Sequence, residues 1–275
     1  MKCKIAISVS ALVVLLTAAY GFWIEPYQID VKHLYPDHPS LKRVLSGKTA
    51  VHVSDLHLAA FDAQTAKLLE IINESKPDLV FLTGDYVPWN GDYEPALEFL
   101  AKIEAIIGVW AVMGDYDYSN GRKSCLFCHE AGTGQPTKRH RVRILKNAAE
   151  EVSIDGETLR IIGLENESED QKGYASRRWT DREGSGPSIV LSHSPLIFDE
   201  LAGGEGVLVL AGDTHGGQVW LPKWLWSLMG YEKNARYDRG WFEKGSNRMH
   251  VSRGLGTSHV RFRLMCRPEV VVVHF

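Results

Sequence analysis

The chain has 275 residues, 44% of them hydrophobic and 24% charged, which suits one large globular domain or at most two small ones. Its formal net charge of -3 gives no support to a nucleic-acid partner held by general electrostatics. Cys3 and Cys266 belong to no evident disulfide framework.

The first element differs in kind from the rest. After Lys2 and Lys4 comes "IAISVSALVVLLTAAYGFWI", residues 5–24, an uncharged run ending in Tyr20, Phe22 and Trp23. About 20 apolar residues cover the hydrocarbon core of a bilayer, and the aromatics fit its interfacial belt. The lysines place the amino terminus inside, so the expectation is a single-pass membrane protein with its domain outside the cytoplasm, the cytoplasmic face remaining the other option. A cleaved signal peptide, with Thr17 and Ala19 as small residues before a cut, is the alternative. The expected organisation is a membrane anchor or signal segment over 1–24, a linker and entry segment over 25–48, and a domain over 49–275.

Past the anchor, "TAVHVSDLHL" (49–58), "DLVFLTGDYV" (78–87), "GVWAVMGDYD" (108–117), "LRIIGLEN" (159–166), "PSIVLSHSP" (187–195) and "GVLVLAGDTHGG" (206–217) each run apolar and end polar. Residues 62–75 read as a helix stopped before Pro77. Another begins near Asp92 with Pro95 in its first turn and continues through Phe99, Ile103, Ile106 and Ile107. The stretch from Glu165 to Pro187, rich in glycine and charge, reads as a surface loop. Strands alternating with helices predict an α/β sheet, whose chemistry lies beyond the carboxyl ends of the strands.

Those ends carry Asp55 and His57, then Asp85, then Asp115 and Asp117, then His193, and finally Asp213 and His215. A Gly-Asp turn after a strand is common, and a lone histidine is usually structural. Five successive strand ends offering carboxylate or imidazole are hard to explain by turn chemistry. Mixed oxygen and nitrogen ligands suit Mn, Fe, Zn or Mg, and clustered carboxylates need cations to offset their repulsion.

In order, "SDLHL", "TGDYV", "GDYD", "LSHSP" and "GDTHGG" resemble the calcineurin-like metallophosphoesterases, whose usual signatures read D-x-H, G-D, G-N-H-[DE], H and G-H-x-H. The resemblance runs from about residue 49 to the end, through "HVSRGLGTS" and the closing strands "RFRLMCRPEVVVVHF". It is strongest to the membrane-anchored branch that includes UDP-diacylglucosamine pyrophosphatases. It implies a four-layer α/β/β/α sandwich behind an N-terminal transmembrane helix, and two metal ions sharing one carboxylate. Asp55, His57 and His215 would hold the first ion and Asp85 would bridge. The second would take His193, with Asp115 where the family usually has Asn and Asp213 where it usually has His. Two metals about 3.5–4 Å apart clamp a phosphoryl group and make a bridging water acidic enough to attack as hydroxide. The implied reaction is hydrolysis of a phosphodiester or pyrophosphate bond in a membrane lipid or nucleotide-linked lipid precursor. The alternative is a non-catalytic metal- or haem-binding membrane protein built on the same scaffold.

Two departures from the family pattern matter. Tyr116 falls where a histidine usually assists the leaving group; tyrosine donates a hydrogen bond, but with a reference pKa near 10 it shuttles protons poorly at neutral pH. Asp117 keeps the usual acidic position and is expected to orient neighbouring loops. The aspartates at 115 and 213 raise the carboxylate count from two to four, which favours Mn²⁺ or Mg²⁺ over Zn²⁺ or Fe.

Two features lie outside that site. Cys125, Cys128 and His129 spell C-x-x-C-H, a pattern for c-type haem attachment; a loop zinc completed by His129 or His140, a redox dithiol and a plain loop stay open. "VWLPKWLWSLMGY", residues 219–231, places Trp220, Trp224 and Trp226 after the last metal motif, with Trp241 not far beyond. Such a run faces lipid or packs in the core.

Overall fold

The computed structural model describes residues 2–89, 91–118, 127, 130, 135, 137–164, 186–204 and 206–275, the side chains of 2–7 excepted. An apolar helix, α1 (Lys2–Trp23), leads into β1 (Asp30–Leu34) and α2 (Pro39–Leu45). Then come β2 (Thr49–Val53), α3 (Ala63–Glu74), β3 (Leu79–Thr83), α4 (Glu94–Lys102), β4 (Gly108–Val112) and the short β5 (Arg143–Ile144). The second half has β6 (Ala148–Ile154), β7 (Glu157–Leu164), β8 (Ser188–Ser192), α5 (Ile197–Glu200) and β9 (Val207–Ala211). It closes with α6 (Lys223–Leu228), α7 (Glu232–Arg236), β10 (Gly240–Lys244), β11 (Asn247–Val251) and β12 (Glu269–His274).

Two six-stranded sheets result, ordered β1-β12-β2-β3-β4-β5 and β10-β11-β9-β8-β7-β6. Within them β2, β3 and β4 run parallel, as do β7, β8, β9 and β11. Strands covered on both faces read as unbroken apolar runs rather than alternating ones, which explains "VFL" and "VLVL" at the sheet centres. The inner faces meet through Phe81, Trp110, Ile161, Ile189 and Leu210. Ile72, Phe99 and Leu100 of α3 and α4 cover the outer face of the first sheet, and α5 packs on the second. The chain is therefore the expected α/β sandwich of two sheets with one N-terminal apolar helix.

Local chemistry sets the helix ends. Asp62 caps α3, its Oδ1 accepting from Thr65 N at 2.9 Å and Thr65 Oγ1 at 3.0 Å, an arrangement worth about 1 kcal/mol. The helix read through Ile107 stops at Lys102 instead. Ile103 is extended, and Ile107 N donates to Asp78 O at 2.8 Å as the chain turns into β4; the isoleucines at 106 and 107 favour that extended path. Two other readings shift. Of the closing segment only Glu269–His274 is a strand, because Arg263 is wholly buried and draws the preceding loop around its guanidinium, donating to Arg253 O, Gly254 O, Gly256 O and Cys266 O. Residues 25–48 carry an edge strand and the fully buried Leu41 and Leu45. Residues 165–185 of the expected surface loop lie outside the described residues.

Candidate metal centre

The parallel strands deliver their carboxyl ends to one edge of the sandwich. Asp55 and His57 follow β2, Asp85 follows β3, Asp115 follows β4, His193 follows β8, and Asp213 and His215 follow β9. Five of these residues, Asp55, His57, Asp85, Asp213 and His215, have φ between 43° and 74°. Non-glycine residues reach that left-handed region at a cost of about 1–2 kcal/mol each, so the fold holds these side chains against local preference.

Two clusters of ligand atoms form, each within 4.8 Å: Asp55, His57, Asp85 and His215, and Asp85, Asp115 and His193. Asp85 belongs to both and divides its oxygens between them. Its Oδ2 is 3.4 Å from His57 Nε2, and its Oδ1 is 3.5 Å from His193 Nε2. His193 Nε2 also stands 3.3 Å from Asp115 Oδ1, and His215 Nε2 stands 3.6 Å from Asp55 Oδ1 and 3.1 Å from His57 Nε2.

The outer hydrogen bonds fix which nitrogen faces the centre. His193 Nδ1 is 2.7 Å from the Thr83 carbonyl and His57 Nδ1 is 3.3 Å from that of Val87. A carbonyl only accepts, so Nδ1 carries a proton and Nε2 faces the centre, the atom whose lone pair binds a metal when the ring is neutral. Asp117 accepts from Asp85 N at 2.9 Å, Tyr86 N at 2.8 Å and Gly114 N at 2.9 Å, tying the second and third motifs together without entering either cluster. Gly114 permits the approach, since a Cβ there would overlap Asp85 Oδ1 and sit 2.6 Å from Asp85 N.

These groups are poorly placed without a cation. Burial pushes the Asp55 carboxyl up to about 6 and raises those of Asp85 and Asp213. Burial also holds His57 down at about 3 and His215 well below the ordinary imidazole range, in the neutral form that ligates metals. For His193 burial works against charge, but Asp85 and Asp115 outweigh it and raise the imidazole. Inward lone pairs and buried carboxylates fit a pair of divalent cations.

Asp213 is brought to neither cluster. Its backbone N–H donates to Asp55 Oδ1 at 2.9 Å, while its Oδ2 accepts from Lys233 Nζ at 2.6 Å. Lys233 comes from α7, which is hooked to the same turn by Asn234 Nδ2 donating to Thr214 O at 3.0 Å. Nothing in the sequence around Lys233 marked it; only the packing of α7 on the β9 turn does.

Tyr116 lies edge-on to His57, ring centroids 4.6 Å apart, and its N–H donates to Asp85 Oδ1 at 3.0 Å. Burial, with Asp85 and Asp115 nearby, pushes its phenol up to about 12. Cys125, Cys128 and His129 lie outside the described residues. The tryptophan run divides: Trp226 is buried under Gly217, while Trp220 and Trp224 are exposed.

A cavity of about 410 Å³ is lined by His57, Leu58, Leu68, Leu255, Pro26 and Ile29 among others. Pro26 follows closely on the end of α1 at Trp23. The last turn of α1 is docked on the domain, with Arg263 N donating to Gly21 O at 3.0 Å and the rings of Phe22 and Phe262 4.8 Å apart.

Two packed sheets with a carboxylate shared between two histidine-bearing clusters define the dimetal phosphoesterase class. The sequence profile of the calcineurin-like phosphoesterase family matches residues 48–227, and the chain belongs to that family of metal-dependent phosphoesterases. It is similar to the metallophosphoesterase YkuE of Bacillus subtilis, 28% identical over 94% of this chain and 90% of the relative. It is also similar to the UDP-2,3-diacylglucosamine pyrophosphatase LpxG of Chlamydia trachomatis, 27% identical over 94% of this chain and 92% of that one. The phosphodiesterase YaeI of Escherichia coli is 26% identical over 80% of this chain and 79% of its own.

Proposed function

We propose that this protein hydrolyses a phosphodiester or pyrophosphate bond in a membrane lipid or nucleotide-linked lipid precursor. Asp55, His57, Asp85 and His215 would hold one divalent cation, and Asp85, Asp115 and His193 the other. Two such cations polarise the phosphorus centre and lower the pKa of the attacking water. Asp85, with one oxygen toward each cluster, is the observation that carries the reading. Asp117 and the Thr83 and Val87 carbonyls keep the ligating atoms aimed, and Tyr116 offers its phenol as a hydrogen-bond donor to a phosphoryl oxygen. The three carboxylates of the clusters, Asp55, Asp85 and Asp115, are hard oxygen ligands that favour Mn²⁺ or Mg²⁺, while Asp213 stands beside them held by Lys233.

The lipid half of the proposal rests on the cavity and the anchor. The cavity is lined by the apolar Leu58, Leu68 and Leu255 as well as His57, and Pro26 in its wall follows closely on an N-terminal helix that is long and apolar enough to cross a membrane. A headgroup phosphate at the clusters would leave its acyl chains in that cavity, and the LpxG relatives are named for a lipid-linked pyrophosphate. Residues 1–24 would then be the anchor and 49–275 the hydrolase domain, facing outward if the lysines set the topology.

The test is Mn²⁺-dependent hydrolysis of bis(p-nitrophenyl) phosphate by the detergent-solubilised full chain, with Asp85→Asn as the control. Activity that needs metal and falls by two orders of magnitude or more in the variant is expected. Two bound ions per chain with no turnover of this ester or of a lipid pyrophosphate would refute hydrolysis and leave the scaffold role.

A further inference from the structure

A phosphoester bond breaks only if the departing oxygen is stabilised, and a proton delivered to it contributes about 10²–10⁴-fold. Among the described residues that line the cavity beside His57 or touch its lining, few can deliver one near neutral pH. His57 turns its free nitrogen to the carboxylates. Asp62 is engaged with Thr65, and Arg261 keeps its proton while donating to Gln64 Oε1. Tyr116 is a phenol, a weak acid in this range. His259 has the chemistry required, because imidazole is the side chain whose reference pKa lies nearest neutrality.

Its placement is specific. His259 lines the same cavity as His57, and its Nδ1 is 3.4 Å from Tyr116 Oη. Tyr116 is itself packed edge-on against His57, so one aromatic ring separates His259 from the nearer cluster. His259 is exposed, so water can return a proton after each cycle. The loop beneath it is fastened on both sides by Gln218. That side chain accepts from Ser258 N at 2.8 Å through Oε1 and donates to Val260 O at 3.2 Å through Nε2. Gln218 sits three residues after His215, so the turn that carries a candidate ligand also positions His259. Among the described residues, the other titratable and charged groups lining this cavity are His57 from a strand end, Asp62 from the start of α3 and Arg261 on the same loop as His259, and Tyr116 meets His259 directly.

We propose, resting on the hydrolytic reading above, that His259 is the general acid of the reaction. Water attacks phosphorus and loses a proton to solvent, and a new P–O bond forms. The bond to the departing oxygen breaks, its electron pair stays on that oxygen, and the imidazolium Nε2–H supplies the proton. Nδ1–H stays donated to Tyr116 Oη throughout, which keeps the ring aimed. Solvent reprotonates the imidazole. His259 thus does from the far end of the chain what a histidine at position 116 would do from the third motif.

The experiment compares His259→Asn with the parent chain on two diesters, bis(p-nitrophenyl) phosphate and a methyl phenyl phosphodiester. The first has a leaving group that departs without a proton and the second does not. The expected result is a fall of about 10²-fold in kcat on the second ester, less than threefold change on the first, and loss of the basic limb of the pH profile. Equal losses on both would overturn the proposal. The second readout needs no turnover: the imidazole resonances of the Mg²⁺-loaded full chain are titrated with and without inorganic phosphate. The resonance that disappears in His259→Asn is expected to titrate at higher pH when phosphate is bound, and an unmoved midpoint would refute a site facing the phosphate. A parent chain inactive on both esters would count against the hydrolytic reading, while the phosphate titration still decides where His259 points.

Discussion

Replacing Lys233 with Met would remove the charge beside Asp213 while keeping an unbranched side chain of similar length. The pair is close, 2.6 Å, and its side chains are 27% and 17% exposed. Exposed ion pairs contribute about 0.2–1 kcal/mol, and removing one partner of a fully buried pair costs about 3–5 kcal/mol. This pair lies between, and about 2 kcal/mol is the working figure for the metal-free protein. At about 2–4 °C per kcal/mol for a domain of this size, the metal-free Tm should fall by about 4–8 °C. With cations the sign reverses. Lys233 raises the local positive potential near both Asp213 and Asp115, so a divalent ion entering the second cluster meets less repulsion without it. If the same interaction opposes the cation, Mn²⁺ binding should tighten by roughly thirtyfold in Lys233→Met, since about 1.4 kcal/mol corresponds to tenfold. Differential scanning fluorimetry in EDTA and in saturating Mn²⁺, with calorimetric titration of Mn²⁺, measures both halves. An unchanged or weaker Mn²⁺ affinity, or a Tm gap that does not shrink with metal, would show that Lys233 is not competing with the cation.

Gly114→Ala should displace both the Asp85 carboxylate and its backbone, because the added methyl overlaps Oδ1 and sits 2.6 Å from Asp85 N; metal analysis should find fewer than two ions per folded chain, and full occupancy would refute the crowding argument. Trp224→Ser should weaken association of the chain with anionic liposomes, whereas Trp226→Ser, at a buried position, should lower Tm; equal liposome binding for parent and Trp224→Ser would remove the lipid-facing role. His250 is fully buried, and burial holds its imidazole down at about 3. Unfolded histidine titrates near 6.5, so below that pH the unfolded chain binds the extra proton and stability falls as pH drops toward 3. His250→Phe should remove that loss, about 2 kcal/mol between pH 6.5 and 5; urea unfolding at the two pH values would show an undiminished loss if the reasoning fails.

The sheet strands and the turns that carry the candidate ligands were legible because buried parallel strands are short, apolar and stop abruptly. The same signal misled at Ile106 and Ile107, where helical spacing continued past the true end of α4. Asp55, His57, Asp85, Asp115, His193 and His215 were named from order alone, each sitting right after a strand. Lys233, His259 and Gln218 were not, since their roles depend on short loops folding back across the strand ends from elsewhere in the chain. Asp213 was named from its position in the motif as a ligand; its hydrogen bond from Lys233 is an approach that no local pattern encodes. The left-handed backbone at five of these positions has no sequence signature either, because aspartate and histidine occupy it here only under tertiary constraint.

The docked end of α1 carries a last consequence. A flexible tether would let a domain roam over a range that grows with the square root of its length. Here Gly21 is pressed against Phe262 so tightly that a single methyl would overlap the ring, and the following residues pass directly into the first sheet. If the proposed anchor spans a bilayer while held this way, the molecule would act as a ruler: the candidate metal centre would be carried at one fixed height above the lipid surface, and the bonds within its reach would be selected by their distance from the membrane before any chemistry at phosphorus begins.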